Sequence, residues 1–138
     1  MAARDVFHEA VKIALVKEGW IITHDPLSLS FGGVDLYIDL GAEKVIAAER
    51  EGQRIAVEIK SFSGPSLISD FHVALGQFLN YRLVLEAQDP ERHLYLAVPL
   101  DAHVAFFTLP FAQSAIRRYQ LKVLVYNSQT QEILQWQS

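Results

Sequence analysis

The segment Ile55-Ala56-Val57-Glu58-Ile59-Lys60 carries the most informative chemistry in the chain, a carboxylate and an ammonium two residues apart in an apolar, β-branched run. Such a run reads as a strand. Side chains alternate along it, so Glu58 and Lys60 share a face with Ala56 while Ile55, Val57 and Ile59 take the other. A strand this apolar is expected at the centre of a sheet, where an ionised carboxylate is costly unless it is paired or bound to a cation. Upstream lie Asp35, Asp39 and Glu43. With a tight turn at Glu51-Gly52, antiparallel counting sets Val45 opposite Glu58 and Glu43 opposite Lys60, and it leaves Asp39 just before the hairpin. Asp39 or Glu43 can then reach Glu58. Two carboxylates converging beside a lysine suit a hard divalent ion such as Mg²⁺, which takes one or two protein carboxylates, several waters and a phosphate oxygen. Lys60 would add positive charge where a transition state develops negative charge. The plainer alternative is an ion pair on an exposed strand face, worth about 0 to 1 kcal/mol.

Gln77 and Tyr81 are four residues apart in a helical pattern and so share a helix face. If that face points toward Glu58 and Lys60, Gln77 can bind the attacking water, a metal's hydration shell or a phosphate, and Tyr81 can bind a phosphate. The alternative is a polar cap over the core with the tyrosine hydroxyl in water. Glu9 is a weaker candidate of the same kind. The histidines at 8, 24, 72, 93 and 103 form no His-x-x-x-His pair, and Ser61, Ser63 and Ser66 lack the Gly-x-Ser-x-Gly elbow of a serine hydrolase. Gly32-Gly33 lacks the further glycine and lysine of a phosphate loop.

The elements that must position these residues follow from hydrophobic period and turn chemistry. Asp5 can cap a helix running to about Glu18, with Gly19 as its stop. Trp20 to Thr23 reads as a short strand broken by His24-Asp25-Pro26, and Ser28 to Gly33 as a loop. Strands are expected over Val34 to Leu40, Lys44 to Arg50 and Arg54 to Lys60, the last two as a hairpin. Ser66 or Ser69 can cap a second helix in which Leu67, Phe71, Ala74, Leu75, Phe78, Leu79 and Leu83 follow the helical period. His93 to Val98 is a buried-strand pattern closed by Pro99. Thr108 opens a third helix through Tyr119, and Leu121 to Tyr126 and Ile133 to Trp136 are two further strands. This order describes an α/β domain with a mixed sheet.

Composition bounds the rest. The chain has 138 residues, 51% hydrophobic and 20% charged, with no cysteine, so one domain over 1–138 is expected and thiol chemistry is excluded. Twelve Lys plus Arg against sixteen Asp plus Glu give a net charge of −4, which argues against a stand-alone, high-affinity nucleic-acid binder. No run of about 18 apolar residues could span a membrane, and a cytoplasmic protein is the default.

Longer strings carry a resemblance. The run from Asp39 through Glu49, continued through Ile55-Ala56-Val57-Glu58-Ile59-Lys60-Ser61-Phe62, resembles the XisH family, as do Gly19-Trp20-Ile21 to Thr23-His24-Asp25-Pro26 and Ala74 to Arg82. The resemblance covers nearly the whole chain. It implies a factor controlling excision of the fdxN DNA element in cyanobacterial heterocyst differentiation, working beside a companion called XisI. The family is also similar to the restriction-endonuclease-like, PD-(D/E)XK superfamily, whose motif is an acid, a spacer, then Asp or Glu, any residue, and Lys. That similarity implies a restriction-endonuclease-like mixed β-sheet flanked by helices, binding Mg²⁺ or Mn²⁺ and hydrolysing phosphodiesters. Glu58 and Lys60 match the motif. Asp39 is the preferred first acid, with Asp35 and Glu43 as alternatives, because Gly33-Val34-Asp35 resembles the first-acid motif of RecB-type nucleases. Gln77 to Tyr81 is similar to the Gln-x-x-x-Tyr signature of those nucleases. Two departures stand out: the spacer from Asp39 to Glu58 is long, and the acidic charge leaves DNA contact dependent on a partner. The expected catalytic set is Asp39, Glu58, Lys60 and Gln77, with Asp39, Glu58 and Glu43 as metal ligands and Tyr81 on the substrate. The alternative is a catalytically silent regulatory protein on a nuclease scaffold, acting with an XisI-type partner and a separate recombinase. A homodimer is compatible with either.

Overall fold

A computed structural model of the chain describes residues 3–35 and 44–137. Helix α1 (Ala3–Lys17) opens the fold, so Asp5 lies inside its first turn and is not its cap. Gly19 ends it as expected. Its φ of +90° allows a Schellman closure, in which Gly19 N–H donates to Val16 O and Trp20 N–H to Leu15 O, both at 3.0 Å. Strand β1 (Ile21–His24) follows, then the short strands β2 (Ser30–Phe31) and β3 (Val34–Asp35). These two pair with each other as a separate two-stranded sheet, across a Gly32-Gly33 turn with φ of 60° and 88°. Positive φ at both central residues makes the glycine pair a two-residue hairpin turn where a plain loop was expected. Of the strand expected over 34–40, only Val34–Asp35 falls among the described residues; Asp39 and Glu43 lie outside them.

The main sheet has six strands in the order β1-β4-β5-β6-β7-β8. Strands β4 (Lys44–Arg50) and β5 (Gln53–Ile59) form the expected hairpin, turning at Glu51-Gly52 with φ of 51° and 82°. Their register sets Val45 against Glu58, as the counting requires. From β5 the chain crosses over through α2 (Leu67–Gln88) to β6 (Arg92–Pro99), which pairs parallel with β5. The Ser66 hydroxyl caps α2 by accepting from Ser69 N–H at 3.3 Å. Next come α3 (Leu100–Ala102), a π-helical turn (His103–Phe107) and α4 (Pro110–Tyr119), leading to β7 (Val123–Asn127), parallel to β6. No element was expected over 100–107. Strand β8 (Glu132–Gln137) returns antiparallel to β7 and ends the sheet.

Both faces of this mixed sheet are covered. One face packs Ala10, Val11 and Leu15 of α1 against Ile46, Ile55, Val57, Ile59, Leu124 and Tyr126. The opposite face packs α2, the π-helical turn and α4 against Val45, Ala56, Leu94, Leu96, Val123 and Val125. Two polar clasps hold the edges of these layers. Asp25, just past β1, accepts from Lys12 Nζ at 2.7 Å and lies 2.9 Å from His8 Nε2, tying the first strand to α1. Asp89, at the end of α2, contacts Arg54 at 2.5 Å and Arg92 at 3.0 Å, while Arg92 donates to Ile55 O at 3.1 Å.

Burial alone would raise the Asp25 carboxyl, but hydrogen bonds from Lys12 and His8, with their charge, outweigh it and hold the group below its ordinary value of 3.8. A carboxyl depressed in the folded state contributes stability above its unfolded value and loses it as pH falls through the folded value. Asp25→Asn is therefore expected to cost about 1 kcal/mol near neutral pH. Urea melts of both proteins should converge once the pH falls below about 3.8 and through the depressed value.

Candidate metal centre on the central sheet

Glu58 sits at the heart of this arrangement. Its strand β5 is third of six, with β4 antiparallel on one side and β6 parallel on the other, so both of its backbone edges are paired. Its neighbours across the sheet are Val45 and Leu96. Both belong to the apolar layer that α2 covers, and the Glu58 side chain has 0% exposure. Lys60 follows just beyond the strand and is only 7% exposed. An exposed, solvated ion pair is thus the wrong description of Glu58 and Lys60; they are buried ionisable groups on the face expected for them.

Helix α2 presents its apolar residues to this layer. Phe71, Ala74, Phe78, Tyr81, Val84 and Leu85 are buried at helical spacing. Gln77 falls between Ala74 and Tyr81, three residues from one and four from the other, and so takes the sheet-facing side with them. Its Oε1 is buried and has no hydrogen-bond partner among the described residues. Tyr81 is 5% exposed. The structure therefore brings Glu58, Lys60, Gln77 and Tyr81 to one layer. Asp35 pairs with Ser30 in the separate β2–β3 sheet, and Asp39 and Glu43 lie outside the described residues. Glu9, on α1, is on the opposite side of the sheet from Glu58, since α1 packs on the other face.

The donors in this layer are hard oxygens. A carboxylate and an unsatisfied amide oxygen are ligand types that Mg²⁺ and Mn²⁺ accept. Among the described residues no group of three or more His, Cys, Asp and Glu gathers that could hold a metal, at Glu58 or elsewhere, and Asp39 and Glu43 lie outside those residues. A divalent ion on Glu58 would need a second acid, and the acids expected to supply it lie at 35–43.

Sequence reading missed two features beside this layer. Phe62, two residues beyond Lys60, adopts φ of +52° although it is not glycine, and its buried ring meets Phe107 edge-on at 5.3 Å. A left-handed backbone at a bulky residue persists only where packing enforces it. Ser61, Phe62 and Ser63 also line a 350 Å³ cavity with Pro99, Asp101 and Asn127 at the carboxyl ends of β5, β6 and β7. Ligands of open α/β sheets approach from that end. The π-helical turn at His103–Phe107 supplies Phe107, which packs against Phe62 and Phe71, and nothing in the order of its residues sets it apart from an ordinary helix.

With the geometry in hand, comparison with known proteins places the chain. The XisH protein family model matches residues 1–134. The chain belongs to the XisH family. A crystal structure of an XisH family protein from Nostoc punctiforme shares 54% identity and superposes with a TM-score of 0.90, over 97% of this chain and 100% of that one. A second, of an fdxN element excision controlling factor protein from Anabaena variabilis, shares 54% identity with a TM-score of 0.89 over 97% of this chain and 99% of that one. No curated protein matches the chain.

A buried amide oxygen lacking a partner is a standing cost, so Gln77→Leu should leave stability unchanged or raise it by about 1 kcal/mol. Chemical denaturation checks this. A loss of more than about 1 kcal/mol would show that the amide is engaged in the fold and not held for a ligand.

Proposed function

We propose that this chain controls excision of a DNA element of the fdxN type and does so as a restriction-endonuclease-like, metal-dependent nuclease. The observation that carries the reading is Glu58, a carboxylate with no exposure on the third of six strands, with Lys60, itself 7% exposed, two residues on. An apolar residue would serve packing better at that position, so function is the reason to keep the acid. The Anabaena variabilis relative, an fdxN element excision controlling factor, supplies the biological direction.

In this reading Glu58 and Asp39 hold Mg²⁺ or Mn²⁺, with Glu43 or Asp35 as the alternative second acid. The ion, when bound, supplies charge neutralisation at a phosphodiester and a water of lowered pKa. Lys60 places its ammonium where negative charge grows on the phosphate. Gln77 orients water or phosphate through its amide, and Tyr81 binds phosphate through its hydroxyl. An XisI-type companion contributes DNA contact that a chain of net charge −4 supplies poorly.

That same charge favours a second reading, in which the scaffold is catalytically silent and a separate recombinase cuts. One experiment separates them. Wild type, Glu58→Gln and Lys60→Met, each with the companion, are assayed for Mn²⁺ binding by calorimetry and for cleavage of supercoiled DNA. The nuclease reading expects Mn²⁺ binding lost in Glu58→Gln and cleavage reduced by about a hundredfold or more in both variants, with circular dichroism unchanged. Absence of Mn²⁺ binding and cleavage in wild type, with excision in cells unaffected by either substitution, supports the regulatory reading.

A further inference from the structure

At the other end of the sheet, where β6 begins, a cleft of about 720 Å³ opens between the later turns of α2, the end of α4 and the start of β7. Its lining includes Arg82, Arg92, Arg117 and Lys122, against the single carboxylate of Glu86. Four separate segments therefore converge four of the twelve Lys and Arg side chains of a chain whose net charge is −4.

These cations are not equivalent. Arg92 is consumed by the fold, paired with Asp89 at 3.0 Å and Glu49 at 3.6 Å. Arg82 donates to the Tyr119 and Gln120 carbonyls at 2.9 and 3.0 Å, which fixes its guanidinium at the end of α4. That end is itself shaped by Gln120, whose φ of +53° turns the chain into the cleft wall. Arg82, Arg117 and Lys122 have no carboxylate within 4.0 Å among the described residues; the Arg82 guanidinium lies 5.5 Å over the Phe78 ring and the Lys122 ammonium 5.9 Å over that of Tyr95. Holding like charges together without counter-charge is unfavourable unless an anion joins them. The floor beneath them is drawn from the apolar core at Phe78, Leu94 and Leu121. A volume of this order fits an organic molecule and exceeds what a bare ion needs.

We propose that this cleft binds an organic phosphate ester, its phosphate held by Arg82, Arg117 and Lys122 and its organic part seated against the apolar floor. Guanidinium forks and an ammonium match the phosphate oxygens, and a planar group can lie on the floor. The site makes no use of Glu58 or of a metal. Glu58 does not line the cleft, although the two places adjoin: Lys122 O accepts from the N–H of Leu96, the strand neighbour of Glu58, at 2.8 Å.

The phosphate can come from a free nucleotide or from the end or backbone of a nucleic-acid strand, and the test distinguishes these. Full-length protein, in excess EDTA so that no divalent ion carries the phosphate, is titrated by calorimetry with three probes. They are a nucleoside 5′-monophosphate, a short 5′-phosphorylated oligonucleotide and its unphosphorylated form. Arg117→Gln combined with Lys122→Gln removes two surface charges without touching the core. Saturable binding is expected in wild type, weakened about tenfold or more by the double substitution, with unchanged melting temperature. Glu58→Gln should bind as wild type does, so a failed nuclease site leaves this result standing. Binding of the monophosphate identifies a free or terminal phosphate, whereas binding of both oligonucleotides alone identifies the backbone. No saturable binding of any probe at millimolar concentration, or equal binding by the double variant, would overturn the proposal.

Discussion

Desolvation of a carboxylate is the constraint around which this molecule is organised. Glu58 is flanked by Val45 and Leu96, roofed by α2 and fully removed from solvent. An ion in that position is tolerated only with compensation close at hand, and Lys60, 7% exposed on the same face, is part of that surrounding. Strand β5 can carry such a load because its backbone is paired on both edges and its other face is a continuous apolar layer of Ile55, Val57 and Ile59 against α1. That apolar layer holds the strand, and with it the position of Glu58, rigidly from the α1 side.

The βαβ crossover then fixes what lies above the acid. A parallel β5–β6 pair forces the connecting helix to run back over the sheet, and the short Ser63–Ser66 link leaves it little freedom of approach. Gln77 and Tyr81 fall on the sheet-facing side because they share the helical stripe of Ala74 and Phe78. The same helix, one residue past Tyr81, carries Arg82 into the cleft where β6 begins. One element thus serves two chemically distinct places, a buried oxygen-donor layer near the carboxyl ends of the strands and a cationic cleft near their amino ends.

Much of this was legible in the sequence because it depends on local rules. The Glu51-Gly52 turn fixes the β4–β5 register residue by residue, so the Val45–Glu58 pairing follows from counting alone. Gly19 stops α1 and Ser66 starts α2 for reasons of backbone chemistry that single residues reveal. Three features escaped. The β2–β3 hairpin has two residues per strand, too few for alternation to register, and the glycine pair at its tip looks like any loop. The helical turns over 100–107 follow a strand-closing proline and carry no cap side chain to announce them. Arg82, Arg117 and Lys122 are scattered through an acidic chain, and only the tertiary fold collects them. Which of Asp35, Asp39 and Glu43 would join Glu58 in the proposed site is likewise a tertiary matter, with Asp39 and Glu43 outside the described residues.

The most direct test of the account is diffraction from crystals of this protein soaked in Mn²⁺, recorded at a wavelength where manganese scatters anomalously. The account predicts an anomalous peak within about 2.0 to 2.6 Å of a Glu58 carboxylate oxygen, shared with one acid of 35–43. A well-ordered Glu58 with no peak beside it, in crystals that show manganese at other sites, would contradict it.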